Sequence, residues 1–213
     1  MSRLDSANYP GKGTTDFQYD WVGNRINPGN MEYNDSDQLT RWPGEHRYEY
    51  DGRGNLIYEK SDSGSTQKTY AYTYSNLTSS ITYAGVAKSS IMTWDAFGNR
   101  ITFQSSTRSN DSDTYTFIYD ITAGMPAVIE EVTPSGINKY IREPGGELIA
   151  RVATVGTTET NNYYHFDELG STQFLTASDG TVTDKYSYDA WGNVLSHVGN
   201  IEQPYQYVGQ YGY

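Results

Sequence analysis

The chain has no cysteine. Disulfide staples and thiolate metal sites are therefore excluded, and packing and backbone hydrogen bonds have to hold the fold. Aliphatic residues are also scarce. The hydrophobic share is 36% but includes 21 Tyr; counting the 21 Gly in their place leaves it at 36%, below the about 45–50% of an ordinary globular chain. That excludes an ordinary aliphatic core. No window approaches the roughly 18 apolar residues of a membrane span, so no membrane insertion is expected. The opening MSRLDSANYPGKG has no apolar run of the kind a signal peptide needs. Basic residues are outnumbered, 15 Lys plus Arg against 26 Asp plus Glu, and a net charge of −11 argues against a nucleic-acid binder. The 213 residues suit one ordinary domain or part of a larger protein.

What the chain does have is aromatic side chains, 15% of its residues. Disordered chains lack such a share. Tyrosine rings carry large buriable area plus a hydroxyl that needs a partner, so they stand in for the missing aliphatics.

These aromatics repeat. FQYDWVGNRI starts at Phe17, YEYDGRGNLI at Tyr48, MTWDAFGNRI at Met92 and YSYDAWGNVL at Tyr186. In each, an aromatic residue (Tyr19, Tyr50, Trp94, Tyr188) precedes a marker aspartate (Asp20, Asp51, Asp95, Asp189). A glycine (Gly23, Gly54, Gly98, Gly192) and an asparagine (Asn24, Asn55, Asn99, Asn193) then follow. Weaker copies begin at Met31, Tyr72, Phe117 and Tyr164, with Asn34, Ser75, Asp120 and Asp167 as markers and Gly170 as the glycine of the last. Most markers lie 14 to 25 residues apart, and the wider gaps, 25 before Asp120 and 47 after it, bracket an irregular section.

Residues two apart share one side of a strand, so the paired aromatics before each marker face a common core. The aspartate then accepts backbone N–H groups in an Asx turn, glycine supplies positive φ, and asparagine caps the exit. Each copy is a hairpin, and no segment sustains a helical period. The class is all-β: repeated antiparallel hairpins forming a spiralled sheet, a solenoid-like wall or a barrel. A propeller would need about 40–45 residues per blade. Pro28-Gly29, Pro43-Gly44, Pro144-Gly145-Gly146 and Asp179-Gly180 read as turns, and the Ser- and Asn-rich stretches 105–114 and 154–162 as loops.

Chemistry is sparse. His46, His165 and His197 share no ligand spacing. His165 stands beside Asp167 as a general base would, although Asp167 also occupies a turn marker. Asn34-Asp35-Ser36-Asp37, Asn110-Asp111-Ser112-Asp113 and Glu130-Glu131 are rich in oxygen, but neither Asn-Asp run has the glycine and distal glutamate of a Ca²⁺ loop. Trp42, Trp94 and Trp191 are candidates for stacking on a sugar. Asn34, Asn76 and Asn110 open glycosylation sequons. No phosphate loop, nucleophile elbow or zinc-protease motif is present. No catalytic, cofactor-binding or metal-ligating residue is assigned, and no enzyme is expected.

The repeats resemble the YD repeats of the Rhs and teneurin-like family over nearly the whole chain. The most specific part is YYHFDELGSTQFLTASDGTVTDKYSYDAWGNVL with QPYQYVGQYGY after it, within residues 163–213, which resembles the start of an Rhs repeat-associated core region. The resemblance divides the chain into a lead-in over 1–16, a YD-repeat array over 17–162 and the start of the core region over 163–213. It implies a spiralled β-sheet that closes a hollow shell, with the core region plugging one end ahead of a C-terminal effector. The expected role is structural: a wall segment that helps enclose and deliver a toxin, within a larger secreted or cell-surface protein. Its partners would be the rest of the shell and the effector. The sequence has no Asp-Pro pair, so the family's self-cleavage motif is carried over to no residue here. About eight copies suit an open wall segment, whose unpaired terminal strands invite edge-to-edge self-association. The alternative is a cell-surface adhesion or carbohydrate-binding module that displays its aromatics to a glycan.

Overall fold

The computed structural model describes residues 3–27, 29–106, 113–122 and 126–212. Pro28, the Asn110-Asp111-Ser112 run with its sequon, and Ala123-Gly124-Met125 lie outside the described residues. The described residues form 18 strands and no helix. They fall into two units, Met1–Thr93 with Gln104–Asp113, and Trp94–Phe103 with Thr114–Tyr213.

In the first unit, β1 (Ser6–Tyr9) and β2 (Gly13–Asp16) make a hairpin of their own. The ladder then runs in chain order through β3 (Glu32–Tyr33), β4 (Leu39–Trp42), β5 (His46–Tyr50), β6 (Leu56–Ser61), β7 (Thr66–Tyr72), β8 (Thr78–Tyr83) and β9 (Lys88–Trp94). After β10 (Arg100–Ser105), the second unit repeats the plan through β11 (Asp113–Asp120), β12 (Ala127–Thr133), β13 (Gly136–Arg142) and β14 (Leu148–Val155). It ends with β15 (Thr158–Phe166), β16 (Thr172–Thr176), β17 (Val182–Tyr188) and β18 (Val194–Val198). An antiparallel meander puts alternate turns on opposite edges. In the first unit the turns after β3, β5 and β7 therefore lie on one edge of its ladder, and in the second those after β13, β15 and β17 lie on one edge of its own; marker residues sit at these turns, and Asp95 at the turn after β9.

The second unit holds the denser core. Tyr115, Phe117, Val128, Tyr140, Leu148, Tyr164, Leu175 and Tyr186 are buried with Tyr205 in one cluster. The period-two pattern places them, as in β11, where Tyr115 and Phe117 are buried and Thr114 and Ile118 are exposed.

Two sequence expectations are corrected. Residues 154–162 are not a loop: β14 and β15 pair through Val155↔Thr158, leaving a two-residue turn at Gly156-Thr157. Solvent-facing Thr, Glu and Asn pair there without needing burial, which removes the alternation that marks a strand in sequence. The section between Asp120 and Asp167 is not irregular either. A further turn of the same kind opens at Glu143, 23 residues after Asp120 and 24 before Asp167, closed by Glu143 N donating to Glu147 O at 2.9 Å.

Candidate functional site

The repeated turn has one construction. Asp51 N donates to Asn55 O at 2.8 Å, while Asp51 Oδ1 accepts Arg53 N (2.8 Å) and Asn55 N (2.9 Å) and Oδ2 accepts Asn55 Nδ2 (2.9 Å). Asp95 does the same with Phe97 N, Asn99 N and Asn99 Nδ2, and Asp189 with Trp191 N, Asn193 N and Asn193 Nδ2. Asp167 Oδ1 accepts Leu169 N and Ser171 N. Asp20 Oδ1 binds Gly23 N and Asn24 N, and its Oδ2 accepts Asn24 Nδ2. These bonds favour the charged form: the Asn55 side chain holds Asp51, and the Asn99 side chain holds Asp95, below the usual carboxylate range.

Gly23, Gly54, Gly98, Gly170 and Gly192 all have positive φ. At Gly192 space matters as well, since a Cβ would stand 2.6 Å from the Tyr207 ring. The copy at Tyr72 needs its marker moved. Thr73 N, not Ser75 N, closes the turn on Leu77 O at 2.8 Å, and Asn76 takes the left-handed conformation at φ 60°. Asparagine tolerates that region, so Asn76 stands where other copies have glycine.

The residue before each marker links one hairpin to the previous one. In the hairpins β3–β4, β5–β6, β7–β8, β11–β12 and β17–β18 the register shifts just before a tyrosine: Tyr33, Tyr50, Tyr72, Tyr119 or Tyr188. A bulge re-aims the side chain it carries. Each hydroxyl donates to a carbonyl five residues past the preceding marker of a five-residue turn. Tyr33 reaches Arg25 O (2.7 Å), Tyr50 Leu39 O (2.8 Å), Tyr72 Leu56 O (2.8 Å), Tyr119 Arg100 O (3.0 Å) and Tyr188 Thr172 O (2.9 Å). Tyr19, in the first copy, reaches Leu4 O at 3.1 Å. Neighbouring turns also join directly, Asn24 Nδ2 to Asp37 Oδ1 at 2.9 Å and Asn55 Nδ2 to Asn76 Oδ1 at 3.1 Å. Burial comes first among the causes that raise the Tyr50 and Tyr188 hydroxyls above their usual range, so they stay protonated donors.

In the second unit the aromatic face is covered by an irregular segment, residues 201–211, which the sequence reading left unassigned within the core region. Its centre is Tyr205, 0% exposed, edge-on to Tyr140 (4.8 Å between centroids) and Tyr164 (6.2 Å), with the Arg142 guanidinium 5.0 Å from its ring centroid. Its backbone is fixed throughout. Ile201 N donates to the buried Asp184 Oδ1 (2.9 Å), Thr172 Oγ1 to Tyr205 O (2.6 Å), Thr172 N to Gln206 O (2.9 Å) and Leu148 N to Gln210 O (3.0 Å). Beneath it, Glu131 Oε2 accepts Tyr140 OH (2.8 Å) and Asn138 Nδ2 (2.9 Å). Glu59 of the first unit is held alike, by Tyr70 OH and Lys68 Nζ at 3.0 Å each. The segment's own sequence, IEQPYQYVGQY, has neither strand alternation nor an Asp-Gly-Asn marker, so only its tyrosines pointed to burial.

The other candidates are drawn into this framework. His165 Nε2 meets Thr176 Oγ1 at 3.0 Å and its ring stacks on Phe174, while the Asp167 carboxylate faces its turn amides. His197 Nε2 lies 3.0 Å from Asp184 Oδ1. Asn34 Oδ1 accepts Ser36 N and Gln38 N in its own turn. The Arg25 guanidinium lies 5.7 Å from the Trp42 ring centroid, Trp94 is half-buried and Trp191 is exposed. Among the described residues no group of three His, Cys, Asp or Glu is placed to hold a metal ion.

Compared with known families, residues 2–210 match the teneurin YD-shell. Double-stranded DNA deaminase toxin A of Burkholderia cenocepacia (strain H111) is 24% identical over 241 residues, an overlap of 98% of this chain and 16% of that protein. The tRNA3(Ser)-specific nuclease WapA of Bacillus spizizenii is 26% identical over 219 residues, covering 91% of this chain and 8% of its own length. The chain thus spans under a fifth of the length of either relative. Crystal structures of TcdB2-TccC3-Cdc42 and TcdB2-TccC3-TEV align with TM-scores of 0.49 and 0.48 at 12% and 13% identity, over 96% and 91% of this chain and 15% and 14% of theirs.

Proposed function

The chain belongs to the teneurin YD-shell family, and from that membership we propose that it is a non-enzymatic wall segment of an Rhs-type shell that encloses and helps deliver a C-terminal effector. The observation that carries this reading is the repeated linkage of bulge, Asx turn and tyrosine hydroxyl. Five hairpins supply in this way the donor that fixes them to the one before, so the motif residues Tyr19, Asp20, Gly23, Asn24 and their counterparts act in wall building rather than in chemistry. In this reading residues 1–16 lead in, 17–162 form the array, and 163–213 begin the core region, whose buried Tyr205 segment lines the shell interior. The partners are the remaining wall and the effector, and the whole protein is exported or displayed at the cell surface.

The test uses the natural protein that contains this chain, purified whole and digested with trypsin. Peptides from beyond the chain's C-terminal end should appear at least about tenfold more slowly than from the same region expressed alone, because proteolysis requires an accessible, opened backbone. Equal rates, or a natural protein with no such region, overturn enclosure.

A second reading, carbohydrate binding, is favoured by one observation: rings at the turn tips stand open to solvent, Trp21 94% and Tyr74 91% exposed in the first unit and Phe97 85% in the second. Glycan-array binding that disappears in Trp21→Ala would bring it forward.

A further inference from the structure

A cavity of about 830 Å³ lies in the second unit. Its walls come from β14, β15 and β17, strands paired on both sides, and from residues 199–202, which lead into the covering segment. Asp184 stands on this wall and is 1% exposed. Its Oδ1 takes both of its partners, His197 Nε2 at 3.0 Å and Ile201 N at 2.9 Å, while Oδ2 is buried without a hydrogen bond. Gly199 fixes the carboxylate from the other side, since a Cβ there would collide with Oδ1. A buried carboxylate oxygen left unpaired is costly, and neither the repeated turns nor the tyrosine links make use of this one. The charge around the cavity has the same sign. Glu159, Asp179 and Glu202 line it from exposed positions, so four carboxylates stand against one guanidinium among its lining residues. That guanidinium, Arg151, is directed to buried amides, Nε to Asn138 Oδ1 at 3.1 Å and Nη1 to Asn162 Oδ1 at 3.4 Å.

We propose that this cavity binds an organic cation, a primary ammonium group on an alkyl stem, which donates to Asp184 Oδ2 and is balanced by the acidic lining. The size agrees, because ligand pockets run from about 300 to 1,000 Å³, and Ala153, Val155 and Ile201 give the stem apolar surface to lie on. A bare metal ion does not suit these donors. Hard cations take about six to eight oxygens, and among the described residues no group of three His, Cys, Asp or Glu is placed to hold one. An anionic ligand would meet four carboxylates. A free polyamine and a lysine side chain presented by a polypeptide both carry the required group.

The test follows the amide shifts of the full 213-residue chain by NMR as spermidine is added. The amides of Ala177, Asp184 and Ile201 should move together at sub-millimolar spermidine. Asp184→Asn keeps an Oδ1 acceptor for Ile201 N and removes the charge, and should raise the concentration needed at least about tenfold, the effect of losing one charge-assisted hydrogen bond. Thr160→Lys leaves Asp184 intact and sets a competing ammonium at an exposed lining position; it should weaken binding to a similar degree, and so carries the test if Asp184→Asn fails to fold. Shifts absent up to millimolar spermidine overturn the site. Unchanged affinity in both variants overturns it as well, since it reduces the binding to diffuse attraction by a net charge of −11. Movement of the same amides with maltose and not with spermidine overturns the cationic class. Nα-acetyl-lysine amide separates the two sources: saturation at the same concentration as spermidine assigns the site to a single side-chain ammonium, and saturation by spermidine alone assigns it to a free polyamine.

Discussion

Replacing Tyr205 with alanine tests whether residues 201–211 are part of the folded second unit or only lie against it. The ring is fully buried, and truncating a buried aromatic residue to alanine costs about 3–5 kcal/mol. Here the loss includes two edge-on pairs, with Tyr140 at 4.8 Å and Tyr164 at 6.2 Å, each contributing about 0.5–1.5 kcal/mol beyond its area. We therefore expect Tyr205→Ala to destabilise the second unit by about 4 kcal/mol. With a urea slope of about 2 kcal/mol/M, its midpoint would fall by about 2 M. Tyr205→Phe keeps the ring, both pairs and the Arg142 contact, and should cost about 1 kcal/mol. Hydrogen exchange locates the loss, because Leu148 N and Thr172 N donate to Gln210 O and Gln206 O of the segment. In Tyr205→Ala those two amides should exchange faster at urea concentrations where the β13–β14 ladder is still protected. A midpoint shift below about 0.5 M, with Leu148 and Thr172 unchanged, would refute the claim that this segment completes the core.

Two further outcomes follow from the same geometry. Gly98 sits at φ 87°, where a β-branched residue is strained, so Gly98→Val should cost about 2 kcal/mol in urea unfolding; an unchanged curve would remove the turn assignment. Alkaline stability reports on the buried hydroxyls. Burial, opposed by Arg142, pushes Tyr205 up to about 12, and burial with Glu131 raises Tyr140 further. Folded values above the unfolded one mean stability that is complete below about pH 10 and lost as the pH climbs toward 12. Phenolate absorbance and loss of sheet circular dichroism should rise together across that window, and full ionisation near pH 10 with the sheet intact would contradict the burial argument.

The fold was legible where the local rule and the tertiary rule coincide. Asp51, Gly54 and Asn55 announce their turn because its hydrogen bonds close within five residues, so the residue types carry the geometry. Glu143 closes the same backbone turn on Glu147 with a longer side chain, and Thr73 with a hydroxyl, so neither carried the aspartate signature that a search by residue type detects. The hydroxyl acceptors were invisible for another reason. The partner of Tyr72 is a backbone carbonyl 16 residues earlier, and every residue type has one. The covering segment is a third case, since its order comes from Asp184, Thr172 and Leu148 in other strands and not from any period of its own.

The departures from tyrosine before the turn show what the linkage is for. Arg142 holds that position ahead of Glu143, and its Nε still points at a carbonyl of the previous hairpin, Val128 O at 3.5 Å, while Nη1 donates to Gly146 O at 2.8 Å. A donor is kept although the ring is gone. Phe166 holds it ahead of Asp167 and keeps the ring, stacked on Tyr164 at 5.8 Å, but has no hydroxyl to give. At that point the covering segment enters. Gln210 accepts from Leu148 N and donates to Gly170 O, at 3.0 Å each, joining the strand after one turn to the tip of the next, and Tyr211 OH donates to Glu147 Oε1 at 2.9 Å. The turns on either side of Phe166 are thus joined by the segment instead of by a tyrosine. A segment that docks where the hydroxyl is missing does more than fill space over the aromatic face: it supplies the inter-hairpin link that Phe166 cannot.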